Sequence, residues 1–320
     1  MRSTADITEK ARLLETRQKY PLDLKIELSK ARIHQWHRHW KGKTFVAFSG
    51  GKDSTVLLHL VRSMYPDTPA VFSNTGLEYP EIVAFVKSIN NVVIVKPGKS
   101  FKQVIGEHGY PVVSKMVARR VRDILNPTGN NEASRHLYQT GETADGRILP
   151  RYKLPNKWRI LLDAPFKTSE KCCDIIKKAP LYDYQRKTGR KPYIGTMAAD
   201  SEGRRSAYLS GGCNLFEGGH IRSTPMAFWL EEDIWEYIRQ NGLDYSPIYD
   251  MGVSNTGCIY CMFGVHLDGA PNRFESLKIT HPKLWSYCMD NLGIREVLNY
   301  IGVATGDEYA GDLFDKEAAV

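Results

Sequence analysis

No stretch of this chain is apolar for long enough to cross a bilayer, and residues 1–20 carry too many charges for a secretory signal. The expectation is a cytoplasmic protein with no membrane partner. Low-complexity tracts and internal repeats are also missing, which argues against linker-rich, fibrous and solenoid classes. Cysteine is scarce, with six among 320 residues, and in a cytosolic chain scattered cysteines are more often ligands or catalysts than disulfides. What remains is an ordinary globular composition. The length suffices for one large α/β domain or a domain with additions.

The net charge of +8 is unevenly placed. Between residues 110 and 160 stand ten basic residues against four acids, a local +6. The basic residues are Lys115, Arg119, Arg120, Arg122, Arg135, Arg147, Arg151, Lys153, Lys157 and Arg159. Such a field attracts polyanions, DNA or tRNA among them, although a solvated basic surface has the same composition.

Ser49-Gly50-Gly51-Lys52-Asp53-Ser54 lies between an apolar, β-rich run (44–48) and apolar residues at helical spacing (Val56, Leu57, Leu60, Val61). Adjacent glycines admit backbone angles closed to other residues and let peptide N–H groups approach an anion. A helix starting there, capped by Asp53 or Ser54, turns its positive end toward phosphate, and Lys52 adds a full charge. A Walker A loop is excluded, because position 46 is Val where that motif needs Gly, and Asp53 follows the lysine. A ligand-free glycine turn is the alternative.

Two helices, 5–18 and 22–40, are expected before this loop. Strands at 44–49, 69–74 and 92–96 then alternate with helices at 53–64, 79–89 and 100–108, which predicts parallel strands with ligands at their carboxyl ends. Turn signals such as Asn126-Pro127-Thr128-Gly129 make 110–165 read as an insertion or loop. A helix near 173–187, a strand at 193–198 and helices near 230–241 and 283–301 complete the chain, with the last ten residues an acidic, loosely held tail. The expected fold class is α/β, a Rossmann-like, mostly parallel sheet with helices on both faces. The expected division is a helical extension at 1–41, a nucleotide-binding domain at 42–230 carrying the basic insertion, and a helical, cysteine-bearing region at 231–320.

The first loop resembles the Ser-Gly-Gly-x-Asp-Ser signature of the PP-loop ATP pyrophosphatases. Two further segments extend the likeness: Asn74-Thr75-Gly76-Leu77-Glu78-Tyr79-Pro80-Glu81, and Gly195 to Arg205, which includes Met197, Asp200, Ser201, Arg204 and Arg205. Their order resembles the phosphoadenosine phosphosulfate (PAPS) reductase branch of that superfamily. The resemblance implies cleavage of ATP, or use of a sulfonucleotide, with Mg²⁺. It implies that Ser49, Gly50, Gly51, Lys52, Asp53, Ser54, Asn74, Thr75, Gly76, Gly195, Met197, Asp200, Ser201 and Arg205 bind nucleotide. Lys52, Asp53 and Arg204 are the implied catalytic residues, with the paired arginines as a phosphate clamp.

Cys172-Cys173 and Cys258-Ile259-Tyr260-Cys261 offer four thiols. A [4Fe–4S] cluster, a structural zinc, a redox-active Cys-x-x-Cys and unligated buried thiols are all open on the residues alone. The arrangement resembles cluster-bearing adenylylsulfate reductases, which implies a [4Fe–4S] cluster on Cys172, Cys173, Cys258 and Cys261. Sulfonucleotide reductases also attack sulfur with a cysteine in a Glu-Cys-Gly-Leu/Ile-His segment, and no such segment occurs here. The favoured expectation is therefore ATP-dependent sulfur transfer to an acceptor such as DNA or tRNA, fed by a sulfur donor of the cysteine desulfurase kind. The alternatives are a sulfonucleotide reductase forming sulfite and a non-catalytic nucleotide-sensing subunit.

Overall fold

The structure is a computed structural model that describes residues 4–307, with side chains from Ile7 onward. The expected acidic tail lies outside the described residues. Eight strands occur among them: β1 (Thr44–Ala47), β2 (Ala70–Ser73), β3 (Val92–Val95), β4 (Val112–Val113), β5 (Lys191–Ile194), β6 (Asn214–Leu215), β7 (Arg222–Ser223) and β8 (Met262–Phe263). The chain folds as two units, each drawn from separate stretches of sequence.

The first unit comprises residues 1–74, 78–97 and 179–256. Its six-stranded sheet has the order β3-β2-β1-β5-β7-β6, parallel except for the short β6–β7 pair at one edge. β1 is central, and Phe45 and Val46 are fully buried, as expected of an apolar strand covered on both faces. From β1 the chain winds outward through β2 to β3, then returns to place β5 on the other side of β1. Because parallel crossovers are right-handed, the Lys52–Met64 and Pro80–Ser88 helices cover one face and the Ala179–Thr188 helix the other. Tyr184 of that last helix packs its ring edge-on to Phe45, 5.1 Å between centroids. The reversal leaves a crevice where the chains leaving β1 and β5 diverge, the usual ligand position in such sheets.

The Leu22–His39 helix buries Leu22, Lys25, Ser29, Ile33 and Trp36, a stripe at three- and four-residue spacing. Lys25 is among them because its ammonium meets Asp233 at 2.5 Å, and Asp233 also accepts the Leu230 N–H, 2.6 Å, at the start of the Glu231–Asn241 helix.

The second unit comprises residues 75–77, 98–178 and 257 onward. A two-stranded parallel ladder, β4 with β8, lies within it. The region expected to be irregular instead holds two α-helices, Lys115–Leu125 and Glu132–Thr140. Ser114 caps the first by accepting the Val117 N–H, while Val117, Ala118 and Val121 are buried. The Asn126-Pro127 turn ends this helix rather than marking a long loop. The helix expected at 283–301 is broken into Pro282–Ser286, a π-helical Tyr287–Asn291 and Ile294–Tyr300. Gly293, at φ +66°, forces the break. A Cβ there would sit 2.7 Å from the Tyr110 hydroxyl, which donates to the Leu292 carbonyl.

Truncating Asp233 would strand a buried ammonium. Asp233→Ala should lower stability by about 3–5 kcal/mol in chemical unfolding, and the double change Lys25→Met with Asp233→Leu should recover most of that loss. A single variant as stable as wild type would show the pair to be dispensable.

Candidate functional site

Two glycines and one helix start shape the loop after β1. Gly50 has φ +75°, and a Cβ on it would meet Val86 Cγ2 at 2.7 Å and Ile82 Cγ2 at 2.9 Å, so the position excludes side chains on two grounds. Gly51, rather than Asp53 or Ser54, is the helix N-cap. Ser54 instead ties the loop to itself: its hydroxyl donates to the Gly51 carbonyl at 2.9 Å and accepts the Ser49 N–H at 3.2 Å. Gly195, at the end of β5, approaches so closely that a Cβ would stand 3.1 Å from the Asp53 carbonyl oxygen. The first and third sequence segments are thus brought together at the switch point between β1 and β5.

Lys52 is the charged centre of this crevice. Its side chain is only 5% exposed, with Nζ 3.2 Å from Glu231, 3.6 Å from Asp53 and 3.4 Å from the Ser254 carbonyl. Burial works against its charge, but Asp53 and Glu231 outweigh it and hold the ammonium above its ordinary pKa. Asp53 is pushed the other way from a typical ion-paired carboxylate. Burial raises its pKa, Lys52 opposes that, and Asp200 and Glu231 add repulsion. Its Oδ1 is buried and accepts no hydrogen bond.

The third segment is organised by Asp200, which accepts the Met197 N–H at 3.0 Å and pairs with Arg204. Ser201 caps the Glu202–Gly211 helix, accepting the Arg204 N–H at 3.3 Å. Arg205 reaches Glu15 at 3.5 Å, so the two adjacent guanidiniums serve different partners. Beside Arg204 a cavity of about 160 Å³ is lined by Thr196, Met197, Tyr208, Arg222 and Thr224. Of the second segment, Asn74 belongs to the first unit, whereas Thr75 and Gly76 belong to the second. There the Leu77 carbonyl accepts the N–H of Ile259, at 2.9 Å, from within the Cys-x-x-Cys turn.

All four candidate ligand cysteines fall in the second unit. Cys172-Cys173 opens a π-helical turn, Cys173–Lys178, and the Cys258–Cys261 turn is closed by the Cys261 N–H donating to the Cys258 carbonyl, 3.0 Å. Cys173 is pulled down to about 6 by a hydrogen bond from Cys172, with Lys115 and Lys177 adding attraction against the cost of burial. Cys172, the donor, is pushed up, and Cys173, Cys258 and Cys261 all act on its ionisation. Among the described residues no three His, Cys, Asp or Glu side chains converge on one point as a metal-ligand set. In kind and number the four thiols suit a thiolate-held cluster or zinc. Asp53 Oδ1, which faces the Lys52 ammonium at 3.6 Å but accepts no hydrogen bond, is a carboxylate oxygen of the kind Mg²⁺ takes, one or two at a time with water and substrate phosphates. The remaining cysteines differ: burial pushes Cys213 up to about 11 and Cys288 up to about 12.

Tyr249, Thr256, Glu231 and Arg222 are site residues that the motifs do not reveal. Glu231 and Asp233 carry a readable signal, an acidic first turn on the Glu231–Asn241 helix. Tyr249 and Thr256 come from a distant segment with no pattern of its own.

Fold and site together define an α/β protein with a glycine-lysine loop at its switch point and four thiols within its second unit. The family described as phosphoadenosine phosphosulfate reductase domain matches residues 43–124 and 136–263, and this chain belongs to it. An uncharacterised protein of Methanocaldococcus jannaschii is 24% identical over 276 residues, covering 81% of this chain and 51% of that one. The chain thus spans about half the length of that relative. Adenosine 5'-phosphosulfate reductase of Anoxybacillus flavithermus is 23% identical over 250 residues, 78% of this chain and 85% of the relative. Solved structures with similarity include phosphoadenylyl-sulfate reductase from Candida auris in a phosphate complex (14% identity, TM-score 0.41, 81% of this chain and 96% of that one). Another is the U34-tRNA thiolase NcsA from Methanococcus maripaludis with its [4Fe–4S] cluster (17%, TM-score 0.39, 88% and 82%). No helix of the described residues is long and apolar enough to cross a membrane.

Because Asp53 is held above its ordinary pKa, its ionised form costs the folded state free energy at neutral pH. The unfolded chain ionises near 3.9, so below that pH both states are protonated and the cost vanishes. Asp53→Asn should therefore raise the thermal unfolding midpoint at pH 7, and the gain should shrink toward zero as pH falls below about 4. A pH-independent gain, or a loss at pH 7, would contradict the assignment.

Proposed function

We propose that this chain is an ATP-dependent sulfur-transfer enzyme acting on nucleic acid, and that the loop Ser49–Ser54 holds the triphosphate. The observation that carries the reading is the Lys52 ammonium, buried at a helix N-terminus behind two glycines whose replacement the packing forbids at Gly50. An acceptor oxygen attacks the α-phosphorus, its bond forms as the α–β bridge breaks, and pyrophosphate departs. Lys52 and the loop amides neutralise the charge that develops on the leaving group. Asp53 would hold Mg²⁺, which when bound would supply further neutralisation of phosphate charge. Arg204 and Arg205 would meet phosphate by exchanging their present carboxylate partners, Asp200 and Glu15.

Cys172, Cys173, Cys258 and Cys261 would hold a [4Fe–4S] cluster, which when bound supplies a site where sulfur is carried before it displaces AMP. The Cys172 hydrogen bond, with Lys115 and Lys177, favours the thiolate form of Cys173 within this set. Reduction of a sulfonucleotide by a displaced cysteine is disfavoured by the two other thiols. Cys213 and Cys288 are buried and pushed up to about 11 and 12, so neither is an available thiolate at neutral pH.

A nucleic-acid acceptor is supported by the charges of the second unit. Arg120 is buried, donating to the Arg151 and Lys153 carbonyls, while Arg119, Arg122 and Arg147 are neutralised by Asp123, Glu170 and Asp145. Arg151 and Lys157 are exposed, and each lies over an aromatic ring, Tyr152 at 5.0 Å and Trp158 at 4.9 Å. Arg159 is exposed beside them. Exposed cations gathered in one short stretch suit the phosphates of a nucleic acid.

Under anaerobic conditions with DNA or tRNA and a desulfurase, ATP should yield AMP and pyrophosphate. Lys52→Ala should cut the rate about 100-fold or more, as loss of one charged transition-state donor does. Release of ADP and phosphate, or a rate indifferent to Lys52, would refute the reading. Sulfite made from adenylylsulfate would favour the reductase, and tight ATP binding without turnover would favour a sensor. Anaerobically purified protein should be brown and lose its colour in Cys258→Ala; colourless protein with one zinc per chain would replace the cluster.

A further inference from the structure

The phosphate cradle of the first unit is already filled by oxygens of the same chain. The Lys52 backbone N–H, one of the donors a helix start leaves over for an anion, donates to the Tyr249 hydroxyl at 2.8 Å. The Ser254 carbonyl and the Glu231 carboxylate occupy the Lys52 ammonium, at 3.4 and 3.2 Å. Thr256 Oγ1 stands 2.6 Å from where a Gly51 Cβ would be, and 3.2 Å from the Tyr249 hydroxyl. Four oxygens thus take the donors and the space that a phosphate would use. Three of them come from one segment of eight residues, 249–256. Both cannot be seated at once, since the Lys52 N–H has one hydrogen to give and the space over Gly51 is filled.

We propose that the segment 249–256 is a strap that stands in for the triphosphate in the nucleotide-free protein and is exchanged for it when nucleotide binds. The proposal rests on the reading of Ser49–Ser54 as a nucleotide loop. The exchange is favourable in sign because the strap offers hydroxyl and carbonyl oxygens, whereas phosphate offers charged ones, whose hydrogen bonds are stronger. It still lowers apparent affinity, because only the fraction of molecules with the strap displaced is competent to bind. The strap is built to let go. Gly252, at φ +85°, has open space where a side chain would be, and Met251 is exposed. Glu231 is 61% exposed and can swing into solvent when phosphate replaces it.

Trp235 supplies a reporter, because its ring lies edge-on to Tyr249, 5.5 Å between centroids. The test titrates the full-length protein with the non-hydrolysable α,β-methylene analogue of ATP plus Mg²⁺, by calorimetry and by tryptophan fluorescence, with Trp235→Phe as the fluorescence control. Wild type should bind with a fluorescence change that Trp235→Phe lacks. Tyr249→Phe and Thr256→Val, each keeping its bulk but losing one hydroxyl, should bind about five-fold more tightly, the worth of one neutral hydrogen bond. Lys52→Ala should bind weakly. If wild type binds but both hydroxyl variants bind equally or less tightly, or saturation leaves Trp235 fluorescence unchanged, the strap is overturned while the nucleotide loop stands. If neither wild type nor any variant gives heat with the analogue, the nucleotide loop itself falls, and the strap with it.

Discussion

A positive charge buried at the positive end of a helix is the constraint around which the first unit is arranged. Lys52 stands at the first position of its helix, with its side chain almost wholly out of solvent. Ammonium and helix end repel one another and are desolvated together, so the position is tenable only when negative or partially negative groups surround it. Asp53, Glu231, the Ser254 carbonyl and the Tyr249 hydroxyl meet that requirement in this structure. The demand explains why carboxylates crowd the crevice although they repel one another and hold Asp53 above its ordinary pKa. It also gives the buried Lys25–Asp233 pair a purpose beyond stability. Asp233 fixes the start of the helix whose first residue, Glu231, is a counter-charge to Lys52.

The second unit meets the opposite problem, favouring the anionic form of one thiol. Cys173 is held below the ordinary thiol range because a neighbouring thiol donates to it and two lysines face it, one at the start of the Lys115–Leu125 helix and one within its own π-helical turn. Cys213 and Cys288 lack such surroundings and stay protonated. Cys172 and Cys261, two of the four candidate ligands, are pushed up like Cys213 and Cys288, so local electrostatics set Cys173 apart from these four thiols rather than ligand from core. The hydrogen bond between Ile259 and Leu77 shows the same unit using part of the second nucleotide-like segment to set the Cys-x-x-Cys turn.

How much was legible in the sequence depended on whether the responsible force was local. The loop after β1 could be read because glycine freedom, a lysine and a helix start all act within six residues. The alternation of β1 to β3 with their helices could be read because each strand is a short apolar run bounded by polar turns. The Lys115–Leu125 helix was hidden by its arginines. Arg120 looks like surface charge, yet its guanidinium is buried because two carbonyls thirty residues on accept from it. The break at Gly293 was hidden for a similar reason, since the apolar period continues and only the distant Tyr110 makes the glycine necessary. Asp53 and Ser54 looked like the cap because their side chains can cap, but Gly51 already supplies the non-helical residue and Ser54 is engaged with Ser49. Tyr249 and Thr256 left no local signal. Their importance lies in an approach to Lys52 and Gly51 across almost 200 residues of chain.

The same distinction between committed and uncommitted groups governs what the basic segment can mean. Its net charge of +6 suggests an extended anion-binding face, yet Arg119, Arg120, Arg122 and Arg147 are absorbed by carboxylates or carbonyls of the fold. Asp123 and Asp145 are already within that net charge, so of these partners only Glu170 lowers it further, while Arg120 keeps its full charge beneath the surface. Between Arg151 and Arg159 three cations, Arg151, Lys157 and Arg159, are exposed along short 3-10 turns, with Lys157 over the buried Trp158. A compact set of this kind suits a short anionic segment better than a long duplex, since a duplex surface asks for phosphate contacts spread over tens of ångströms. The exposure of individual cations, rather than the net charge, is therefore what limits where an anion could meet this segment.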